Sequence, residues 1–230
     1  MLFSMCVKRE IYLIMVKKIL KQPSFNVEAI FNILSNVTPH ASTELNYINH
    51  FTLLVAIVLS AQSTDVGVNK ATKRLFAQVL DPYDMIQLGE DGLKDYIKTI
   101  GLYNSKAKNI MKLSEILIEK HNAKVPDDFA SLIALPGVGR KTANVFLNCA
   151  YNLPTIAVDT HVARVSYRIG MTHHIDAYKI EQDLLKIVPK DYLKNAHHLL
   201  ILHGRYVCKA RKPQCSICPI ERYCIKHFAK

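Results

Sequence analysis

Four cysteines packed into seventeen residues near the C-terminus, Cys208-x6-Cys215-x2-Cys218-x5-Cys224, leave that stretch few ways to fold. Prolines and cations surround them, which is a poor setting for core cysteines, and the spacing points to four thiolates around metal. Zinc accepts four sulfurs in a tetrahedron. Only one C-x2-C pair is present, where zinc modules usually carry two, and this tilts the choice toward an iron–sulfur cluster. Cys6 and Cys149 fall outside the spacing, and Cys149, in an apolar helical context, reads as packing.

Charge narrows the partner. The formal net charge is +11, which favours polyanions such as nucleic acid. A cluster of the [4Fe–4S]2+ type on four thiolates carries negative charge and would lower the total to about +9. Residues 201–230 hold seven Lys or Arg against Glu221 alone, and residues 96–114 hold Lys98, Lys106, Lys108 and Lys112 with no acid. Two such patches predict a shared electrostatic footprint. Lys209, Arg211 and Lys212 lie between the first two cysteines, in a loop pinned at both ends, and so form a preformed surface for phosphate.

With half its 230 residues apolar, the chain has the composition of a folded globular protein that needs no disulfides. The uncharged stretch from Leu45 to Thr64 has an apolar heart of only nine residues, Phe51 to Leu59, so buried core is favoured over a membrane span. Lys8, Arg9 and Glu10 interrupt the apolar runs of the N-terminus, which predicts no secretory signal. An amphipathic helix, a frayed extension or a true start at Met15 all fit the first 20 or so residues. A metal-type cysteine spacing without an export signal predicts a reducing, intracellular setting.

Most of the chain reads as helix. Ile110, Leu113 and Leu117 make one apolar stripe, and Asp176 caps a helix carrying Ile180, Leu184 and Ile187 that ends before Pro189. Asp127 or Asp128 caps a short helix that stops near Pro136-Gly137. The run Phe51–Leu59 fits a central strand or a buried helix, and the lack of surrounding hairpins favours helix.

A second motif is Leu135-Pro-Gly-Val-Gly-Arg-Lys-Thr-Ala143. Gly137 and Gly139 allow a tight turn whose amides converge on an anion, the next helix adds its positive N-terminus, and Lys141 falls in the first turn beside Arg140. The glycine spacing is not that of a nucleotide-binding P-loop. A phosphate contact blind to base sequence suits such amides better.

These two motifs resemble the hairpin and cluster spacing of the endonuclease III family of helix–hairpin–helix DNA glycosylases. The resemblance runs from about Asn26 almost to the C-terminus. It includes Thr43-Glu-Leu-Asn-Tyr47, Leu59-Ser-Ala-Gln-Ser-Thr-Asp65, Ile100-Gly-Leu-Tyr-Asn-Ser-Lys106, Val158-Asp-Thr-His161 and Leu202-His-Gly-Arg205. It implies an all-α fold of two helical domains flanking a DNA-binding cleft. Residues 43–153 would be a six-helix barrel with the hairpin; residues 1–42 and 154–230 would together form the cluster domain. The first 20 or so residues depart from the family.

The resemblance also assigns roles. It implies one [4Fe–4S] cluster on Cys208, Cys215, Cys218 and Cys224, a catalytic Lys141, and a catalytic aspartate at Asp159, where the local sequence shows only a helix cap. Gln62 would fill the space left by an extruded base, with Leu102 the opposing wedge; Thr160 and His161 would support. The implied activity is release of damaged pyrimidines from duplex DNA, followed by cleavage 3′ to the abasic site through a lysine Schiff base. A monomer, cytoplasmic and at the nucleoid if bacterial, is expected. Monofunctional mismatch glycosylases of the same superfamily generally lack a lysine at the position of Lys141. A DNA-binding module without catalysis would leave Lys141 and Asp159 together by accident.

Overall fold

The structure is a computed structural model that describes residues 25–225. The expectations for the first residues, for Cys6 and for the basic Lys226 and Lys230 lie outside them. The described residues are all-α, with no strand, and fall into two compact units. A central unit holds residues 42–157 with 193–198; a flanking unit holds 25–41, 158–192 and 199–225.

The central unit is organised by α2 (His50–Ser60), in which every residue from Phe51 to Leu59 is buried. A helix apolar on all faces must be enclosed. Around it lie α3 (Asp65–Leu75), α4 (Pro82–Ile97), α5 (Tyr103–His121), α6 (Phe129–Ile133) and α7 (Arg140–Tyr151). They supply Val68, Met85, Leu93, Ile110, Leu113, Leu132 and Phe146 to one core. α2 packs against α3, α5 and α7. The stripe predicted at Ile110, Leu113 and Leu117 is fully buried.

Polar side chains fix where most of these helices start. The Asn49 carboxamide accepts from Thr52 N at 3.0 Å while Thr52 Oγ1 accepts from Asn49 N at 2.9 Å, a reciprocal capping box. Thr64, Asp81 and Asp128 cap α3, α4 and α6, so Asp128 is the cap of the Asp127–Asp128 pair. α5 and α7 have no side-chain cap.

The flanking unit contains α1 (Val27–Val37), α8 (Thr160–Ile169), α9 (Ala177–Ile187) and both ends of α10 (Lys190–Tyr206), whose residues 193–198 group with the central unit. Phe31 stacks on Tyr192 with ring centroids 5.8 Å apart. Gly204 of α10 lies so close to α8 that a β-carbon there would sit 2.9 Å from Val165 Cγ2 and 3.1 Å from His161 Cβ. Asp176 caps α9 as expected. The last member of its predicted stripe, Ile187, is exposed, because α9 ends there and Val188 takes the inward position.

Asn49 both caps α2 and donates from Nδ2 to Leu80 O at 2.8 Å. Asn49→Ala is expected to lower unfolding stability by about 1–2 kcal/mol, the scale of a lost cap with a second bond attached. Urea melts of the two proteins measure this.

Candidate functional site

The hairpin joins α6 to α7. Leu135 and Val138 are buried and Val138 N donates to Leu135 O at 3.1 Å, so the turn is anchored from inside. Gly137 has φ +79°, and a β-carbon there would meet Asn109 Cβ at 3.1 Å. Glycine is required on both counts. Gly139 is the N-cap of α7, and no side chain caps the helix there. The Arg140 guanidinium lies 5.0 Å over the Phe129 ring. Lys141, one residue on, is exposed.

Two histidines of the central unit bear on its electrostatics. His197 is fully buried and neither ring nitrogen has a hydrogen-bond partner; its ring lies 3.9 Å from that of His198. Burial, then His198 and then the charge of Lys141 hold His197 well below the usual imidazole range. Burial alone brings His198 down to about 4 and pushes the neighbouring Cys149 thiol up to about 11. Cys149 Sγ is 4.0 Å from His198 Nε2, the packing position its apolar context predicts.

Gln62 and Leu102 are both exposed, and both have left-handed backbones, with φ of 54° and 59°. Leu102 is 61% exposed, so it is no core residue. The predicted basic patch at 96–114 needs one correction. Lys106 is only 6% exposed, because its ammonium is bonded inside the unit.

In the flanking unit, Asp159 is half-buried and caps α8, its Oδ1 accepting from His161 N and Val162 N, both at 2.8 Å. Two arginines that the motif reading missed follow at i, i+4 on the same helix. Arg164 donates to Cys208 O at 3.2 Å and Gly204 O at 2.9 Å, and its Nη2 lies 3.2 Å from His161 Nδ1. Arg168 donates to Lys209 O at 2.7 Å and Ala210 O at 3.0 Å. The two guanidiniums hold the loop after Cys208 by its carbonyls, which leaves Lys209, Arg211 and Lys212 exposed.

Cys208, Cys215, Cys218 and Cys224 are half-buried and none is in a disulfide. They line one recess together with Ile169, Val207 and Ile220. Arg168 Nη1 lies 3.6 Å from Cys208 Sγ, and His203 Nε2 lies 3.7 Å from Cys218 Sγ. Burial first, and then the other three cysteines, push the Cys218 thiol up to about 11. Such a thiol becomes a thiolate ligand only where a cation compensates. Among the described residues no three His, Cys, Asp or Glu are arranged to hold a single metal ion. Four thiols spread around one recess fit a polynuclear cluster, and these are the residues that could hold it.

The family of HhH-GPD superfamily base excision DNA repair proteins matches residues 55–190, and the iron–sulfur binding domain of endonuclease III matches residues 208–224. Endonuclease III of Rickettsia conorii is 58% identical over 202 residues, covering 88% of this chain and 96% of its own. That of Escherichia coli K12 is 55% identical over 195 residues, covering 85% and 92%.

The chain belongs to the endonuclease III family.

A trapped endonuclease III–DNA covalent intermediate superposes with a TM-score of 0.82 at 47% identity, covering 86% of this chain and 94% of that one. A thermostable thymine-DNA glycosylase, at 20% identity and a TM-score of 0.78, shares the fold. As an endonuclease III family member the chain is a DNA glycosylase and abasic-site lyase of base excision repair with a [4Fe–4S] cluster. No helix of the described residues is long and apolar enough to cross a membrane.

The buried histidines make a pH prediction. His198 has its proton affinity lowered from the usual 6.5 to about 4, so the unfolded chain takes up protons that the folded chain refuses. Stability is therefore complete above about pH 6.5 and is lost as pH falls toward 4, by up to about 1.4 kcal/mol per pH unit for each such histidine. His198→Phe should flatten the dependence of the denaturation midpoint on pH between these limits.

Proposed function

We propose that this endonuclease III family member releases oxidised pyrimidines from duplex DNA with Lys141 as nucleophile and Asp159 as the charge-stabilising carboxylate. The observation that carries the first assignment is an exposed lysine in the first turn of an uncapped helix, directly after a left-handed glycine turn. The amides of Gly139 and Arg140 and the N-terminus of α7 suit a phosphate, and a phosphate held there puts the sugar of the same strand within reach of Lys141.

The chemistry follows from an amine. Lys141 Nζ attacks the sugar C1′ and the damaged base leaves with the electrons of its glycosidic bond. The amine then loses a proton as the C1′–O4′ bond breaks, O4′ taking that electron pair and a proton, and the open sugar is left as a Schiff base on the lysine. That electron-withdrawing group acidifies the C2′ proton. Its removal expels the 3′ phosphate by β-elimination. Asp159 is supported by the two amides that fix its Oδ1. The relative solved as a trapped covalent intermediate with DNA supports a covalent route here.

Cys208, Cys215, Cys218 and Cys224 are proposed to hold the cluster, which when bound ties the C-terminal loop into one rigid piece and keeps Lys209, Arg211 and Lys212 presented to phosphate. Gln62 and Leu102 are proposed to enter the duplex where the base is extruded. The central and flanking units are proposed to be the barrel and cluster domains. A monomer acting on DNA inside the cell fits the single-chain set of proposed residues and the net charge of +11.

Purified protein should be brown and contain iron and acid-labile sulfide in equal amounts. Cys218→Ala should lose both, while zinc without sulfide in the parent protein would remove the assignment.

Borohydride added during turnover should leave the protein covalently attached to DNA through the peptide containing Lys141. Lys141→Gln should abolish trapping and slow base release by on the order of 10³-fold or more at saturating DNA, with fold and cluster intact. Asp159→Asn should keep DNA affinity and slow both steps about 100-fold. An adduct elsewhere, or base release without trapping, would put water in the place of Lys141.

A further inference from the structure

Lys106 stands apart from the other lysines of its segment because it is buried. Its ammonium donates to Leu59 O and to Ser63 Oγ, both at 2.9 Å. Leu59 lies in the last turn of α2, where carbonyls lack helical partners and a cation is favoured. The Lys106 backbone N–H donates to Leu102 O at 3.0 Å, the first helical bond of α5. One residue therefore grips Leu102 through the main chain and both sides of Gln62 through the side chain.

The two turns it joins are the costly kind. Gln62 and Leu102 have φ of 54° and 59°, a region that residues with a β-carbon avoid. Such backbones persist only when their surroundings over-determine them. The turns are also neighbours, since a β-carbon on Gly101 would lie 3.9 Å from Gln62 O. An apolar side chain could fill the space under these turns without the cost of burying an ammonium. What lysine adds is two directed hydrogen bonds between segments more than 40 residues apart in sequence.

We propose that Lys106 is a positioning residue that locks the Gln62 and Leu102 turns at one fixed separation, so that the two side chains enter the duplex as a rigid pair. This rests on the proposed role of Gln62 and Leu102 in base extrusion. Lys106 itself touches neither base nor sugar. Its contribution belongs to the extrusion step, before the lysine chemistry.

The experiment uses full-length, cluster-loaded protein on duplexes with one thymine glycol and 2-aminopurine in the opposite strand. Fluorescence reports base extrusion; base release is compared with nicking at a preformed abasic site. Lys106→Met is expected to reduce extrusion and to slow base release about tenfold more than it slows abasic nicking, the scale of one charge-assisted hydrogen bond. With Gln62→Ala added, the double variant should lose little beyond Lys106→Met alone, because a free turn cannot use its side chain. Ser63→Ala, which removes one acceptor and spares the core, should move the same ratio the same way by about threefold. It decides the matter if Lys106→Met fails to keep its cluster or melting temperature. An unchanged ratio in Ser63→Ala, or additive losses for Lys106→Met and Gln62→Ala, overturns the proposal. Wild-type extrusion by Gln62→Ala and Leu102→Ala would instead remove the role of those side chains, and the proposal with it.

Discussion

The central unit depends on enclosing α2. Its buried apolar side chains run without a break from Leu53 to Leu59, with Phe51 two residues before, so no face is left for water. Burying such side chains at about 1.5–3 kcal/mol each contributes on the order of 15 kcal/mol before chain entropy is deducted. Each left-handed residue in the adjoining turns costs on the order of 1–3 kcal/mol. Because α3, α5 and α7 close over α2, their ends are fixed as well, and with them the turn after Ser60, the start of α5 at Leu102 and the start of α7 at Gly139.

The flanking unit solves a different problem. A loop with three cations between two cysteines repels itself and has little apolar surface to bury. Arg164 and Arg168 hold it by carbonyl oxygens, with Arg168 Nη1 also 3.6 Å from Cys208 Sγ, and Lys209, Arg211 and Lys212 stay exposed. Planar guanidiniums suit this, since each reaches two carbonyls from one rigid fork. The consequence is a basic surface whose backbone is ordered from within.

Much of this was legible in the sequence because it rests on local rules. The caps at Asp128, Asp159 and Asp176, the stripe of α5 and the hairpin glycines all act within a few residues, and the spacing of the cysteines marks their loop. The run Phe51–Leu59 was ambiguous because apolarity on all sides has no period; only the absence of hairpins around it favoured helix. Lys106 was misplaced for a related reason. It sits among Lys98, Lys108 and Lys112, and its acceptors are Leu59 and Ser63, far away along the chain. Arg164 and Arg168 were invisible as a pair because their acceptors are backbone atoms, which leave no mark on sequence.

Broken local rules are informative here only in combination. Three described helices begin without a side-chain cap, α5, α7 and α10. At α10 the omission is trivial, because Pro189 leads the chain in with extended backbone and nothing else is strained there. At α5 the missing cap coincides with a left-handed Leu102 that is exposed. At α7 it coincides with a left-handed Gly137 packed against Asn109. An exposed apolar side chain on a strained backbone, and a helix start without a side-chain cap beside a lysine, both forgo stability that ordinary caps would supply. A fold that gives up the same kind of stabilisation at two loops of one unit, while capping α2, α3, α4 and α6, does so at the residues proposed to meet DNA.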